Sequence, residues 1–226
     1  MLQKVLIVTA TLIEAEITGS IKGIQIIPGG YRHGNTEISL LIAGVGSIST
    51  AWEMQKWFSV NEKPDLAINL GIAGSYREDI KIGDVVIPLT DCFADAGIED
   101  GDNFLTLSEA GLVNPNQFPF VEGLIHTDTC YADILKSVAG TASAITVNTA
   151  TGSDSTRNKL VRKFNPDIET MEGATFFYIC SRERIPFLAL RAVSNMVEIR
   201  NKKNWDIKFA LSNLAEKLNE VFLTLK

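Results

Sequence analysis

Seven short apolar runs, separated by segments of helical period, constrain this chain more than any other feature. The first, KVLIVTA at 4–10, is a nearly unbroken β-branched run. A strand wetted on one face would alternate apolar with polar residues, so such a run suits a strand covered on both faces. EISLLIAG (37–44), DLAINLG (65–71), DVVIPL (84–89), SAITVNT (143–149), a short stretch at 167–170 and FLALRAV (187–193) read the same way. Helical periodicity fills the gaps at 12–21, at 47–58 with Trp52 and Trp57 among its apolar positions, and at 132–139. It returns at 154–164 behind Asp154, at 171–184, and in the amphipathic segment 204–225. This alternation predicts an α/β domain whose mostly parallel or mixed sheet is covered on both faces. Residues 91–124 break the pattern, with many turn formers and little period, as a binding loop, a lid or part of an interface would.

Composition narrows the function. The 226 residues contain no Pro/Ser-rich linker or compositional shift, so a single domain over 1–226 is expected. The net charge is −6, and the largest basic cluster is the Lys202-Lys203 pair, which argues against nucleic-acid binding. Three scattered cysteines (Cys92, Cys130, Cys180) without a CxxC spacing read as reduced thiols of a cytoplasmic protein. The first apolar run gives way to Glu14 and Glu16, which fits a first strand better than a signal peptide. No uninterrupted apolar stretch approaches the roughly 18 residues that a membrane span needs. With only His33 and His126, in unrelated contexts, histidine-based metal sites and Ser-His or Cys-His catalysis are weakly supported. Carboxylates and amides must carry most of any chemistry.

In open α/β sheets ligands bind beyond the carboxyl ends of the strands, so the residues just after each run matter most. These are Glu14, GVGS (44–47), GIAGS (71–75), Met171-Glu172-Gly173 and Ser194-Asn195. Singly, each has a plain structural reading. The glycines permit turns, and Glu172 in a helix's first turn gains about 0.3–1 kcal/mol from the macrodipole. Ser194-Asn195 is a natural turn pair, and Glu14 alone would be a solvated helix residue. Together they offer two carboxylates, Arg191 and an amide above one sheet, with glycines that let backbone approach a ligand.

The ordered set VTATLIEAE, AGVG, INLGIAGS, KIGDVVIP, TMEGATFFY and LRAVSN resembles the nucleoside phosphorylase and nucleosidase superfamily over about the whole chain. Within it, SNMVEIRNKKNW and TVNTATGS are most similar to the futalosine hydrolases of the alternative menaquinone pathway. The resemblance implies a three-layer α/β/α fold with a central mixed sheet, nucleoside phosphorylase-like. It also implies cleavage of a purine N-glycosidic bond by water, no metal or organic cofactor, and a homodimer or larger even-numbered oligomer. By motif, Glu14 takes the place of the residue that activates water, Glu172 of the one that binds the ribose hydroxyls, and Arg191 of the one that holds the water. Gly71, Ile72, Ala73, Gly74, Thr151, Met171 and Ser194 fall along the substrate, while Arg200 reads equally as the partner of a carboxylate on its 5′ substituent or as a solvated surface charge.

Adenine-selective relatives carry aspartate where this chain has Asn195. An amide can donate to a 6-oxo group, so Asn195 points to hypoxanthine rather than adenine as the base. Two further departures are Ile72, where relatives often have serine, and Ala150-Thr151, where they place an aromatic residue against the base. Residues 91–107 and 198–205 are expected around the 5′ pocket, and Phe93, Phe104, Phe118 and Phe120 at an interface core. The alternatives are a methylthioadenosine/S-adenosylhomocysteine nucleosidase, a purine nucleoside phosphorylase, and a non-catalytic nucleoside-binding protein. A phosphorylase would need several donors around phosphate, and only the glycine loops offer any.

Overall fold

The computed structural model describes residues 2–101, 103–127, 129–199 and 201–225, and the side chains among them except those of 129, 130, 132 and 202. Side chains alternate along β1 (Lys4–Thr9): Val5 and Ile7 enter one apolar cluster, Leu6 and Val8 another. Both faces of the strand are thus covered, which is why its sequence lacks alternation. The chain continues through α1 (Leu12–Glu16), a 3₁₀ turn at Ile17–Ser20, β2 (Ile24–Ile27), β3 (Gly30–His33), β4 (Thr36–Ile42) and α2 (Ser47–Val60). Next come β5 (Leu66–Ser75), β6 (Val85–Asp91), β7 (Gly97–Asp100), β8 (Asn103–Thr106), β9 (Ile125–His126), α3 (Thr129–Leu135) and β10 (Gly140–Thr146). The last elements are α4 (Asp154–Phe164), β11 (Ile168–Thr170), α5 (Gly173–Glu183), β12 (Phe187–Met196), a 3₁₀ turn at Lys202–Asn204 and α6 (Ile207–Thr224).

The three-layer α/β/α arrangement is observed. Leu211, Leu214, Leu218 and Phe222 of α6, with Leu135 of α3, cover one face of the mixed sheet. Met54 of α2 and Phe176, Phe177 and Ile179 of α5 cover the other. Part of the sheet also closes on itself. β5 pairs with β12, β12 with β6, β6 with β10, β10 with β11, and β11 returns antiparallel to β5. From this five-strand ring the order β1-β4-β3-β2 extends as an open wing. A ring of so few strands leaves a narrow interior, filled here by Ala73, Val86, Ala142, Ala144, Ile168 and Val193.

Several boundaries differ from expectation for physical reasons. Residues 71–75, read as a turn for their glycines, continue β5, because pairing with both β11 and β12 holds them extended. The helix expected over 12–21 tightens to a 3₁₀ turn at Ile17, where Gly19 and Ser20 are poor helix formers. The irregular 91–124 stretch contains the β7–β8 hairpin. α3 ends at Leu135 rather than 139, β10 starts at Gly140 rather than 143, and α6 starts only after Asp206, whose carboxylate accepts from Phe209 N. Among the described residues no helix is long and apolar enough to cross a membrane.

Candidate active site

The turn from β1 into α1 builds the first carboxylate. Thr11 is the N-cap, and Glu14, three residues on, completes a capping box. Thr11 N and Oγ1 donate to Glu14 Oε2 at 2.9 and 2.8 Å, and Ile72 N donates to Oε1 at 3.1 Å. Glu14 is nearly buried and aimed by three donors, not left as a solvated helix residue. Gly71 makes room for it. A Cβ there would stand 2.8 Å from Glu14 Oε1 and 3.0 Å from Arg191 Nη1. The need at Gly71 is thus space beside charged groups rather than a turn.

Arg191 reaches the same place from β12. It shares strand parity with Phe187 and Ala189, which face α5, whereas Leu188, Leu190 and Ala192 face α6. It is fully buried, with Nη2 donating to Asn69 Oδ1, while Asn69 Nδ2 donates to Val8 O. Burial pushes the guanidinium pKa down and the carboxylates of Glu172, Glu14 and Asp91 push it back up, so the group stays charged. Its Nε has no hydrogen-bond partner among the described residues.

Glu172 is the N-cap residue of α5, and its Oε1 accepts from Gly46 N at 2.8 Å. Burial raises its pKa, opposed by Arg191 and the Gly46 N–H and reinforced by the Glu14 charge. Beneath it lies Asp91, the last residue of β6 and fully buried. Asp91 Oδ1 accepts from Cys92 N and Thr146 Oγ1, while Oδ2 has no partner among the described residues and points at Gly173, where a Cβ would stand 2.2 Å away. Burial pushes its pKa up to about 7, with hydrogen bonds and Arg191 opposing. One guanidinium therefore serves three carboxylates.

Asn195 is placed by a β-bulge. In β12, Val193 pairs with Ala73 and Asn195 with Gly74, so Ser194 is an extra residue. Without it Asn195 would keep the parity of Arg191 and Val193; the bulge re-aims the strand end. Ser194 is wholly buried, and its hydroxyl donates to Asn195 Oδ1 at 2.8 Å. One hydrogen of Asn195 Nδ2 goes to Met196 O at 3.0 Å. Asn195, Ala150, Thr151, Met196, Glu198 and Trp205 line a narrow cleft. A roomier groove of about 600 Å³ runs between α2 and α5 past Ser47 and Tyr178, but it is lined by neither Glu14 nor Asn195.

The remaining expected site residues fall as follows. Ile72 offers its N–H to Glu14 and packs its side chain on the α6-side core, and the Ala73 side chain fills the ring interior. Met171 is half-buried beside Glu172, and Thr151 is held by Glu169. Gly74 faces Asn195, where a Cβ would stand 3.2 Å from Nδ2. Arg200 lies outside the described residues. His33 rests edge-on against Phe222 and plays no part in the cluster.

A family model described as the phosphorylase superfamily matches residues 7–225. The chain belongs to this superfamily. A futalosine hydrolase of Acidothermus cellulolyticus is 33% identical over 93% of this chain and 87% of its own length. A 5′-methylthioadenosine/S-adenosylhomocysteine nucleosidase of Buchnera aphidicola is 25% identical over 86% of this chain and 80% of its own. Among solved structures, Helicobacter pylori futalosine hydrolase superposes with a TM-score of 0.78 at 18% identity, covering 97% of each chain, a likeness of fold.

The superfamily motifs contain Glu14, Glu172, Arg191 and Asn195, and also Asn69 within INLGIAGS, though nothing local there marks it as the partner of Arg191. Asp91 lies outside them, although it ends a strand and the strand-end rule applied to 84–89 reaches it. Glu169 and Tyr76 carried no such signal, because their partners are distant in sequence.

Proposed function

We propose that this chain, as one cytoplasmic nucleosidase domain, hydrolyses the N-glycosidic bond of a 6-oxopurine nucleoside. The substrate is futalosine, and the products are hypoxanthine and dehypoxanthine futalosine of menaquinone biosynthesis. In this reading Glu14 and Arg191, whose Nε has no hydrogen-bond partner among the described residues, hold the attacking water. As the bond between C1′ and N9 breaks, its electron pair leaves with the purine and positive charge grows on the sugar, which the Glu172 carboxylate beside the ribose hydroxyls stabilises. The water oxygen bonds to C1′, its proton passes to Glu14, and the purine takes up a proton. No step calls on a metal or organic cofactor. Gly71 to Gly74, Met171 and Thr151 line the substrate, and Ser194 acts through Asn195.

The observation that carries the choice of base is the bond from Ser194 to Asn195. It fixes which way the amide faces, and with one Nδ2 hydrogen on Met196 O the other is left to donate to the ligand, which suits an O6 acceptor. A 6-amino purine would face that N–H with a donor of its own. The relatives bearing the name futalosine hydrolase support the same substrate, and the likeness to a nucleosidase of adenine compounds leaves it as the comparator. Asn195→Asp should shift the ratio of kcat/KM for futalosine over its 6-amino analogue by about tenfold to a hundredfold toward the latter, since an ionised aspartate leaves O6 facing an acceptor. A ratio that stays put assigns base reading elsewhere.

The reading includes a homodimer or larger even-numbered oligomer. Leu12 and Ile13 next to Glu14, and Val45, Ile48 and Trp52 next to Gly46, are all exposed, an apolar surface of the kind that subunits cover. Of the four phenylalanines expected at an interface, Phe118 is openly exposed, while Phe104 packs on Phe164 and Phe120 on Tyr178. Light scattering at the mass of one chain would contradict this part.

A further inference from the structure

A buried carboxylate outside the catalytic cluster stands beside the base cleft. Glu169 is 7% exposed and accepts three hydrogen bonds. Thr151 N donates to Oε1 at 2.8 Å, Thr151 Oγ1 to Oε2 at 2.5 Å, and Tyr76 Oη to Oε2 at 2.6 Å. Two of the three come from one residue, in a bidentate grip on Thr151. Burial and the neighbouring Glu169 charge push the Tyr76 phenol well above its ordinary range, so Tyr76 remains a donor.

The place of this grip in the ring matters. Glu169 on β11 and Asn195 on β12 have the same register partner, Gly74 of β5. The two side chains thus stand on either side of one glycine, and Thr151, which Glu169 holds, lines the cleft with Asn195. Arg157 of α4 ties the outer side of the same frame, donating from Nε to Val197 O at 2.8 Å and from Nη2 to Tyr76 O at 3.2 Å. Burying a carboxylate is costly unless its lone pairs are filled, and here three donors fill them. A carboxylate accepting from backbone and hydroxyl together fixes both the peptide group and the side chain of Thr151, and hence the wall that a flat base meets.

We propose that Glu169 is a positioning residue for the base, which fixes Thr151 opposite Asn195 and so sets affinity for the purine rather than the rate of bond cleavage. This rests on the functional reading above. Neither Glu14, Glu172 nor Arg191 donates to or accepts from Glu169, so its removal spares the groups that act on water and ribose.

The test measures kcat and KM for inosine and futalosine, and the inhibition constant of free hypoxanthine, in wild type, Glu169→Ala, Glu169→Gln and Tyr76→Phe. Glu169→Ala should raise KM and the hypoxanthine constant together by about tenfold, the effect of losing one to two net hydrogen bonds' worth of ordering, with kcat within about threefold. Glu169→Gln should recover most of the loss, since its oxygen can accept from Thr151 N while both hydroxyls turn to accept from its amide. Tyr76→Phe, which leaves the Thr151 grip intact, should change KM by only about twofold to threefold. If Glu169→Ala does not fold, Thr151→Val removes one arm of the grip and should raise the hypoxanthine constant by about threefold to fivefold. An unchanged hypoxanthine constant in the folded variants, or a loss confined to kcat or to the melting temperature, overturns the proposal. A wild type that neither cleaves these nucleosides nor binds hypoxanthine overturns the functional reading, and this inference with it.

Discussion

The open wing and the closed ring of this sheet obey different rules. In the wing, β1 and β4 pair in unbroken register from Lys4↔Glu37 to Thr9↔Ile42, and the buried β1 side chains from Val5 to Val8 are all apolar. In the ring, β12 carries a bulge at Ser194, β5 carries Gly71 and Gly74, and Arg191, Asp91 and Glu169 are buried charged residues. The β12 bulge, Gly71 and the buried Arg191, Asp91 and Glu169 lie in the cluster around Arg191 or beside the cleft at Asn195. The wing buys stability with hydrophobic burial, and the ring holds groups that would be unfavourable there without one another. Conflict between local sequence and global fold thus marks the site.

The sharpest way to separate the two regions is Glu14→Gln. Shape and burial are kept but the base is lost, so kcat should fall by about 10²–10⁴-fold while KM changes little. Near-normal turnover would remove Glu14 from the chemistry and leave it as the capping residue that its bonds to Thr11 also make it.

A reciprocal pair sharpens the contrast. Leu6→Ala, in the wing's buried core, should cost about 2–5 kcal/mol of stability and leave kcat of the folded enzyme alone. Gly71→Ala should do the opposite. Its Cβ would press on Glu14 Oε1 and Arg191 Nη1, so activity should drop by about tenfold or more, since small misplacements of catalytic groups are expensive, while the melting temperature moves little. If both variants lose stability and activity in step, the division between wing and ring fails.

The same division governs what the sequence discloses. Periodicity finds α4 at 154–164 and the strands of the wing core, because their signals are local and agree with burial. It truncates β5 at 71, because Gly71, Ala73 and Gly74 look like a turn until their partners on β11 and β12 are known. The ring closure is a pairing between residues about 95 positions apart, such as Glu169 with Gly74, and no periodicity encodes that. The same holds for the site. Glu14, Glu172, Arg191 and Asn195 stand in recognisable strings, whereas the grip of Glu169 on Thr151 exists only after folding.

The smallest effect concerns Asp91. Its folded pKa of about 7 lies above the usual carboxylate value, so the folded state retains a proton that the unfolded chain gives up. Stability from this group is therefore full below about pH 4 and is lost as pH rises toward 7, after which it levels. Asp91→Asn removes that dependence. The fall in melting temperature between pH 5 and 8 should be shallower in the variant than in wild type by roughly 5–10 °C, on the order of a 2–3 kcal/mol difference. Parallel curves would show that Asp91 is ionised throughout.

The central claim, that water cleaves a 6-oxopurine nucleoside here, is tested most directly by the released base. Futalosine, aminofutalosine, inosine and methylthioadenosine are incubated with the enzyme, with and without inorganic phosphate, and the free base is identified by chromatography. Hypoxanthine should appear from futalosine at a rate that phosphate does not change, with little adenine from the 6-amino compounds. Adenine released faster than hypoxanthine, or cleavage that requires phosphate, would contradict it.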